Sequence, residues 1–506
     1  MGGLASSVRL RANFSGGRPM HRKLLLAVLV VGMVASVPLA RAADAGDQKW
    51  QVSAEVRSRW ERLENYLDLN DNGSTQDAFT FMPYRFRVGV DGQLADDVSV
   101  KIQVQNWGSW GNQDPQQSFA TNGFFGFFGP VGQNLDGDSA LPGARKSETS
   151  LYQGYVALNK IGGSDFWAKV GRMESPLGTG LIIGNEEFYN GTVFDGIKAG
   201  YDEKDWSVHA FYFRTSQTEP IDSSLTVDAA HDNHVLDGGV FSLKTGEEEG
   251  WGDVDVYGIG FQDGFTGDVF DPIGAPHLWT FGAHWWRAVK TKKDADDFPL
   301  DWNIEGAMQT GDVTDVGDFN GDGDFTDKLD FGGTIIDGSV GWNFAMGDTI
   351  HRVSGGIIYK SGDDNVTDKN IDSWVALFPS NHGRYGNADF FGANIGSGYF
   401  IGSGPSGFSS GLTAYNVAYD LNYDNGEHMF GGRYWKFQPT EDKVDSVKIE
   451  DFGTEWDLWY QYRYSENVSL YANYSNLSPD DGLTGGGSNP NDSVTRFYAG
   501  LRVFLK

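Results

Sequence analysis

The chain has 506 residues, 39 Lys and Arg against 69 Asp and Glu, a formal charge of −30, and no Cys. The missing cysteines exclude a disulfide framework, a thiolate metal site and a C-x-x-C-H haem attachment, and the acidic balance argues against a nucleic-acid partner. The 69 Gly and the 16 Trp, 21 Tyr and 34 Phe, at a mean hydropathy of −0.40, are unusual for a soluble enzyme but ordinary for a membrane barrel with aromatic girdles and a watered inner face.

Residues 1–42 carry Arg9, Arg11, Arg18, Arg22, Lys23 and Arg41 and no acid. Met20-His-Arg-Lys opens a basic segment, Leu24 to Ala40 is a nearly unbroken apolar run, and Ala40-Arg41-Ala42 is a small-x-small cleavage site. That is the form of a secretory signal peptide. The run is ~17 residues, at the short limit for a spanning helix, and no other apolar stretch is as long. Met20 is a candidate start, because residues 1–19 add nothing to the signal. The sequence therefore predicts a signal peptide over 1–42 and one exported domain over 43–506.

The exported part alternates with period two, the signature of strands with two unlike faces. Trp50, Val52, Ala54, Val56 and Trp60 share one parity, while Gln51, Ser53, Glu55, Arg57, Arg59 and Glu61 share the other. Met82, Tyr84, Phe86, Val88 and Val90 oppose Arg85 and Arg87; Val98, Val100, Ile102 and Val104 oppose Ser99, Lys101, Gln103 and Gln105. Val468, Leu470, Ala472 and Tyr474 oppose Ser469, Tyr471, Asn473 and Ser475. Alternation alone suits a soluble sandwich with its apolar face inward or a membrane barrel with its apolar face on lipid. Export, aromatics near strand ends and a final strand Phe497–Leu505 in which glycine is followed by spaced apolar residues select the barrel. That last strand resembles the signal read by barrel-assembly machinery, with Lys506 in place of the usual terminal aromatic.

In chain order the strands fall near 49–61, 79–90, 97–106, 149–159, 165–173, 194–201, 206–214, 237–244, 253–263, 277–289, 299–310, 333–346, 350–361, 411–423, 427–437, 453–464, 467–476 and 493–505. Odd strands are mostly followed by long segments and even strands by tight turns such as Asp202–Asp205 and Gly347–Thr349, as in outer-membrane barrels. The expected fold is all-β: a transmembrane antiparallel up-and-down β-barrel of about 18 strands, with long extracellular loops and short periplasmic turns. Sixteen is the alternative count, because 237–263 is poorly patterned. Closure of one barrel is expected, since an open sheet edge in lipid strands its backbone groups.

Three stretches carry a family resemblance. The first is Gly171-Arg172, the glycine-rich Gly178–Asn185, and Asn190-Gly191-Thr192-Val193-Phe194-Asp195-Gly196. The second is Leu377-Phe378-Pro379-Ser380-Asn381-His382-Gly383-Arg384-Tyr385-Gly386-Asn387-Ala388-Asp389, and the third is Gly453-Thr454-Glu455-Trp456-Asp457-Leu458. Together they resemble the alginate-export porin family, with Thr192 standing where that family usually has Arg. The resemblance implies an outer-membrane channel for passive passage of hydrophilic solutes, with alginate-like polysaccharide as one cargo and general diffusion as the alternative. It also implies a pore role for Arg172, whose parity with Val170 otherwise points it at lipid, where a charge costs ~2–4 kcal/mol unless Gly171 bulges or the residue sits at the rim.

If the apolar parity faces lipid, Arg57, Arg59, Arg85, Arg87, Lys101 and Lys169 face water in the lumen, with Glu305 among the acidic residues on the same side. Four arginines on two adjacent strands form a cluster suited to anionic saccharides or carboxylates. The competing reading is internal neutralisation by Glu55, Glu61, Asp301 and Glu305. The long loops 107–148 and 362–410 hold Phe124–Phe128 and Trp374, Phe378, Tyr385, Phe390 and Phe391, which must pack somewhere, either in the barrel mouth as a constriction or on each other above the rim. Asp318-Phe319-Asn320-Gly321-Asp322-Gly323-Asp324 matches the opening of a calcium loop, with Asp318, Asn320, Asp322 and Asp324 as oxygen donors. Leu329 stands where an EF-hand has Glu, so a solvated acidic turn is the alternative to structural Ca²⁺. No cofactor is otherwise required. No G-x-S-x-G, H-E-x-x-H or P-loop pattern supports an enzyme; a plugged structural or adhesive barrel is a further alternative. Outer-membrane lipid and lipopolysaccharide are the expected surroundings.

Overall fold

The computed structural model describes Trp50 to Leu505 except residues 66–68, 70–77, 111–147, 186–190, 217–233, 245–249, 263–276, 290, 314–326, 366–367, 381, 392–409, 424–425, 445–446 and 485–491. Eighteen long strands follow one another: β1 Trp50–Glu64, β2 Pro83–Ala95, β3 Val98–Ser109, β4 Glu148–Leu158, β5 Phe166–Met173, β6 Phe194–Asp202, β7 Trp206–Ser216, β8 His234–Leu243 and β9 Asp253–Gln262. The second half comprises β10 His277–Arg287, β11 Leu300–Val313, β12 Thr334–Met346, β13 Thr349–Lys360, β14 Leu412–Tyr423, β15 His428–Gln438, β16 Gly453–Ser465, β17 Val468–Pro479 and β18 Val494–Leu505. Each pairs antiparallel with the next, and β18 returns to β1 with Ala54 opposite Leu505 and Glu64 opposite Thr495. The sheet is a closed 18-stranded barrel, so the spanning backbone leaves no edge.

The poorly patterned 237–263 forms two full strands. Gly238, Gly239, Gly258 and Gly260 interrupt its alternation, and their missing side chains, rather than missing pairing, hid the period. Short connections such as Asp96-Asp97, Glu203–Asp205 and Gly347-Asp348 lie at the end that holds both Trp50 and Leu505, which makes that end periplasmic.

The apolar parity points outward. Val88, Ile102, Val170, Ile197, Val256, Val353, Val417 and Leu458 are all exposed, as no folded soluble core would leave them. Tyr84 shares that face and is covered by Trp110, ring centroids 4.5 Å apart. Exposed Trp50, Trp206, Trp285, Trp342, Tyr423 and Tyr464 mark the periplasmic end of this belt. Trp60, Trp279, Tyr415, Trp456 and Tyr474 mark the other. These are the two interfacial girdles of a membrane barrel.

The buried apolar side chains lie inside the barrel, where two connections fold inward. Leu177, Leu181, Ile182 and Ile183 after β5, with Trp374 and Leu377 after β13, pack on Phe194, Phe213, Leu236, Ile259, Leu278 and Ile335 of the wall. Tyr385, Phe390 and Phe391 pack on Ile358, Ala414, Trp435, Phe437 and Leu477. The aromatics of the second long loop therefore enter the barrel, because luminal apolar patches on β6–β12 and β13–β17 offer them cover that the rim does not. The aromatic run of the first long loop lies outside the described residues.

Candidate functional site in the barrel lumen

The two inward segments join each other. Gly184 N donates to Phe378 O (2.7 Å), Phe378 N to Ile182 O (3.0 Å) and Ser380 N to Gly180 O (2.9 Å). Wall carboxylates hold both. Glu305 on β11 accepts from Thr179 N (2.7 Å), Thr179 Oγ1 (2.6 Å) and Tyr257 OH (2.8 Å). Glu455 on β16 accepts from Ala388 N (2.7 Å), and Asp457 from Asn387 N (3.2 Å) and Trp435 Nε1 (2.9 Å). The Glu305 and Glu455 contacts each rely on a glycine: a Cβ on Gly178 (φ +54°) would sit 2.4 Å from Glu305 Oε1, and one on Gly386 (φ +91°) 2.5 Å from Glu455 Oε1. The three resembling stretches thus form one arrangement, in which the third pins the second and the second binds the first.

Charged contacts continue from the loop tip into the wall. His382 Nδ1 lies 2.5 Å from Asp389 Oδ2, Asp389 lies 2.8 Å from Arg496 on β18, and Arg496 Nη2 donates to Glu61 Oε2 (2.9 Å) on β1, which also receives Arg59. Burial pushes the Asp389 carboxyl up, but His382 and Arg496 beside it outweigh this and hold it well below the usual carboxylate range. Arg384 donates to Thr179 O (2.8 Å) and pairs with Asp337. Arg352 on β13 grips Asp301 in bidentate fashion (2.8 and 2.7 Å). Arg433 on β15 forms no ion pair among the described residues; its guanidinium lies 5.4 Å from the Trp435 ring and 5.7 Å from the Trp459 ring.

Between these groups lies a cavity of about 610 Å³. Arg59, Arg352, Arg384, Arg433 and Arg496 line it with His382, and Asp337 is the one carboxylate among its lining residues. Amides and hydroxyls, including Asn185, Asn303, Ser339, Ser354 and Asn416, complete the wall. The passage is polar, narrowed by the inward segments, and lined by more cationic than anionic side chains, most of the arginines being paired with carboxylates.

The sequence-predicted residues divide. Arg57, Arg59, Arg85 and Arg87 come together on the luminal face of β1 and β2, where Arg57 stands opposite Arg85 on one side and opposite Arg502 on the other. Glu55 serves both Arg85 (2.9 Å) and Arg57, so two guanidiniums share one carboxylate. Arg87 donates to Gln105 Oε1 (2.7 Å) and lies 3.5 Å from the Tyr152 ring centroid. Arg59 alone of the four lines the cavity. Lys101 and Lys169 face the lumen nearer the periplasmic end, apart from that cluster. Two expectations need correction. Glu305 is fully buried and does not meet the passage, because its oxygens are taken by Thr179 and Tyr257. Arg172 faces outward at the extracellular end of β5, paired with Asp195 (2.8 and 2.6 Å), which supplies the counter-charge its outward parity demands. Asp318, Asn320, Asp322 and Asp324 lie outside the described residues.

Five luminal arginines were not singled out in the sequence. Arg496 and Arg502 lie in a strand read only as a closure signal, Arg352 and Arg433 lie in strands read only for the strand count, and Arg384 sits in a loop. Luminal parity on the last strand would have found Arg496 and Arg502.

A closed barrel with an apolar girdled exterior and a charged, watered lumen defines an outer-membrane porin of a Gram-negative bacterium. The chain belongs to the alginate export family: the family model described as Alginate export matches residues 51–398. Among solved structures, OccK9 (OpdG) of Pseudomonas aeruginosa matches with a TM-score of 0.53 and 12% identity over 90% of this chain and 98% of that one. OccAB3 of Acinetobacter baumannii matches with a TM-score of 0.51 and 11% identity over 90% and 99%. At such identities these likenesses speak for the fold. The curated proteins yield no match. Family and fold point to a channel rather than an enzyme.

Proposed function

We propose that this porin passes hydrophilic solutes passively and favours anionic saccharides or other carboxylates. The supporting observation is the lining of the constriction, where five arginines and His382 stand beside one lining carboxylate, Asp337, while Glu61, Asp301 and Asp389 pair with Arg59, Arg352 and Arg496 from outside the lining and Arg433 has no ion pair among the described residues. Guanidiniums bind carboxylates through paired N–H donors, and a narrow lumen strengthens the field they set up. The sharing of Glu61 and Glu55 by several arginines favours the second reading, a general diffusion porin whose charges mainly brace one another. Single-channel recordings with trigalacturonate and maltotriose separate the two. The first reading expects current interruptions from the uronate trimer and few from the neutral one; equal interruptions, or none, leave the general porin.

The same reading takes residues 1–42 as removed on export, so that the mature N-terminus is Ala43, which N-terminal sequencing of the membrane-extracted protein checks. It takes the closing strand as the segment handed to the barrel-assembly machinery, and lipopolysaccharide as the outer-leaflet neighbour. Structural Ca²⁺ at Asp318–Asp324 remains part of it. Isothermal titration of wild-type protein against Asp322→Asn with Ca²⁺ tests that site, and identical heats would remove it.

A further inference from the structure

A second group of basic side chains lies on the luminal wall of β3, β5, β6 and β7, apart from the arginine constriction. Lys101, Lys169, Lys198 and His209 are each adjacent in sequence to an outward apolar residue (Ile102, Val170, Ile197 and Val208), so the alternation turns all four toward the lumen. Lys169 and Lys198 stand directly opposite each other across the β5–β6 ladder. Like charges so placed destabilise a sheet. Lys169 is within electrostatic reach of Lys101 and Lys198, and His209 of both Lys198 and Lys169.

Counter-charge is sparse. Lys101 pairs with Asp91 at 3.2 Å. Lys198 donates to Ser175 Oγ (3.1 Å), a neutral hydroxyl, and Lys169 rests near the Tyr155 and Trp167 rings at 5.4 and 5.6 Å. Neither Lys169 nor Lys198 has an ion pair among the described residues, although Asp202 acts on Lys169 electrostatically. Beside them the indole N–H of Trp167 is buried and donates to nothing among the described residues. A buried donor without an acceptor is costly unless a ligand or water supplies one. Two opposed ammonium groups, an unused donor and two aromatic faces form a built site for a negatively charged sugar.

Its position adds to this. Lys101 lies four residues along β3 from Gln105, the partner of Arg87, so the lysines sit about 13 Å along the strand toward the periplasmic end. We propose that Lys101, Lys169 and Lys198, with Trp167, form a separate periplasmic-side anion station, which captures uronate oligomers before they reach the arginine constriction. The inference rests on the anion-favouring reading and sharpens it: the solute carries several charges, and the path has two stations.

The test is current interruption by trigalacturonate added to each chamber in turn, in wild-type protein and in a Lys169→Gln/Lys198→Gln double variant, with galacturonate as the single-charge probe and heat-modifiable gel migration to show an intact barrel. The association rate from the periplasmic side is expected to fall at least threefold in the variant, with a smaller change from the other side and for the monomer. Wild-type interruption that persists at the same rate in the variant from both sides overturns the lysine station alone. A fall equally large for galacturonate overturns the two-station geometry. A wild-type channel indifferent to trigalacturonate overturns the anion reading and this inference with it. Lys169→Arg/Lys198→Arg, which keeps both charges, is expected to restore at least half of the lost rate.

Discussion

Asp389, at the tip of an inward loop, lies 2.8 Å from Arg496 on the strand that closes the barrel. The contact couples the constriction to the wall, since Arg496 also bonds Glu61 on β1 and Asn387 O in the loop. The Asp389 carboxyl is held below its ordinary range, so its contribution is fully present above the unfolded value of about 3.9 and is lost progressively as pH falls toward the depressed folded value. Wild-type channels are therefore expected to stay electrically quiet down to about pH 4. Asp389→Asn, which removes one charged partner from Arg496 and from His382, is expected to loosen the loop at pH 7 at a cost on the order of 3 kcal/mol. Open-channel noise against pH, in both proteins, checks this; equal noise at pH 7 would contradict it.

The glycines that touch the wall carboxylates make a second prediction. Gly386→Ala forces a Cβ onto Glu455 from a left-handed backbone. Loss of loop docking by roughly 1–3 kcal/mol follows, read as larger and noisier conductance with an unchanged barrel on gels. Alanine at Gly347, also left-handed but with open space around it, is expected to leave conductance unchanged.

Arg433 and Arg352 are expected to respond differently. Arg433→Gln removes a guanidinium without an ion pair among the described residues, so it weakens the interaction with trigalacturonate by about 1 kcal/mol, roughly fivefold in residence time, with little change in stability. Arg352→Gln strips the bidentate partner from buried Asp301 and lowers unfolding stability by about 3 kcal/mol. Urea unfolding in lipid, set beside block kinetics, distinguishes the two.

The outward face is testable without reference to transport. Val353 is 51% exposed on the lipid side of β13, and Val353→Arg is expected to cost about 2–4 kcal/mol if it lies near the bilayer midplane. Asn416, on the luminal side of β14, tolerates the same change with a smaller effect. Equal costs would mean that the two faces are not lipid and water.

The barrel was legible in the sequence because period-two alternation and the contrast of short and long connections follow from lipid outside and water inside. The alternation was weakest where glycines blank the pattern, in β8 and β9, which left 16 strands as an alternative count although both strands are formed. The cluster of Arg57, Arg59, Arg85 and Arg87 was legible for the same reason: two adjacent strands share one parity. What the alternation could not show was contact across the lumen. Glu305 reads as a pore carboxylate until Thr179 is placed on it, and Arg384 reads as a loop residue until it meets Asp337. Arg172 obeyed its parity, and Asp195 is the partner that parity required.

The most direct test of an anion-favouring constriction is the zero-current potential of the wild-type channel in a planar bilayer under a KCl gradient. The lining described above predicts the sign of preferential chloride passage, shrinking toward zero in an Arg59→Gln/Arg433→Gln variant. A wild-type potential of the opposite sign, with potassium preferred, would contradict it.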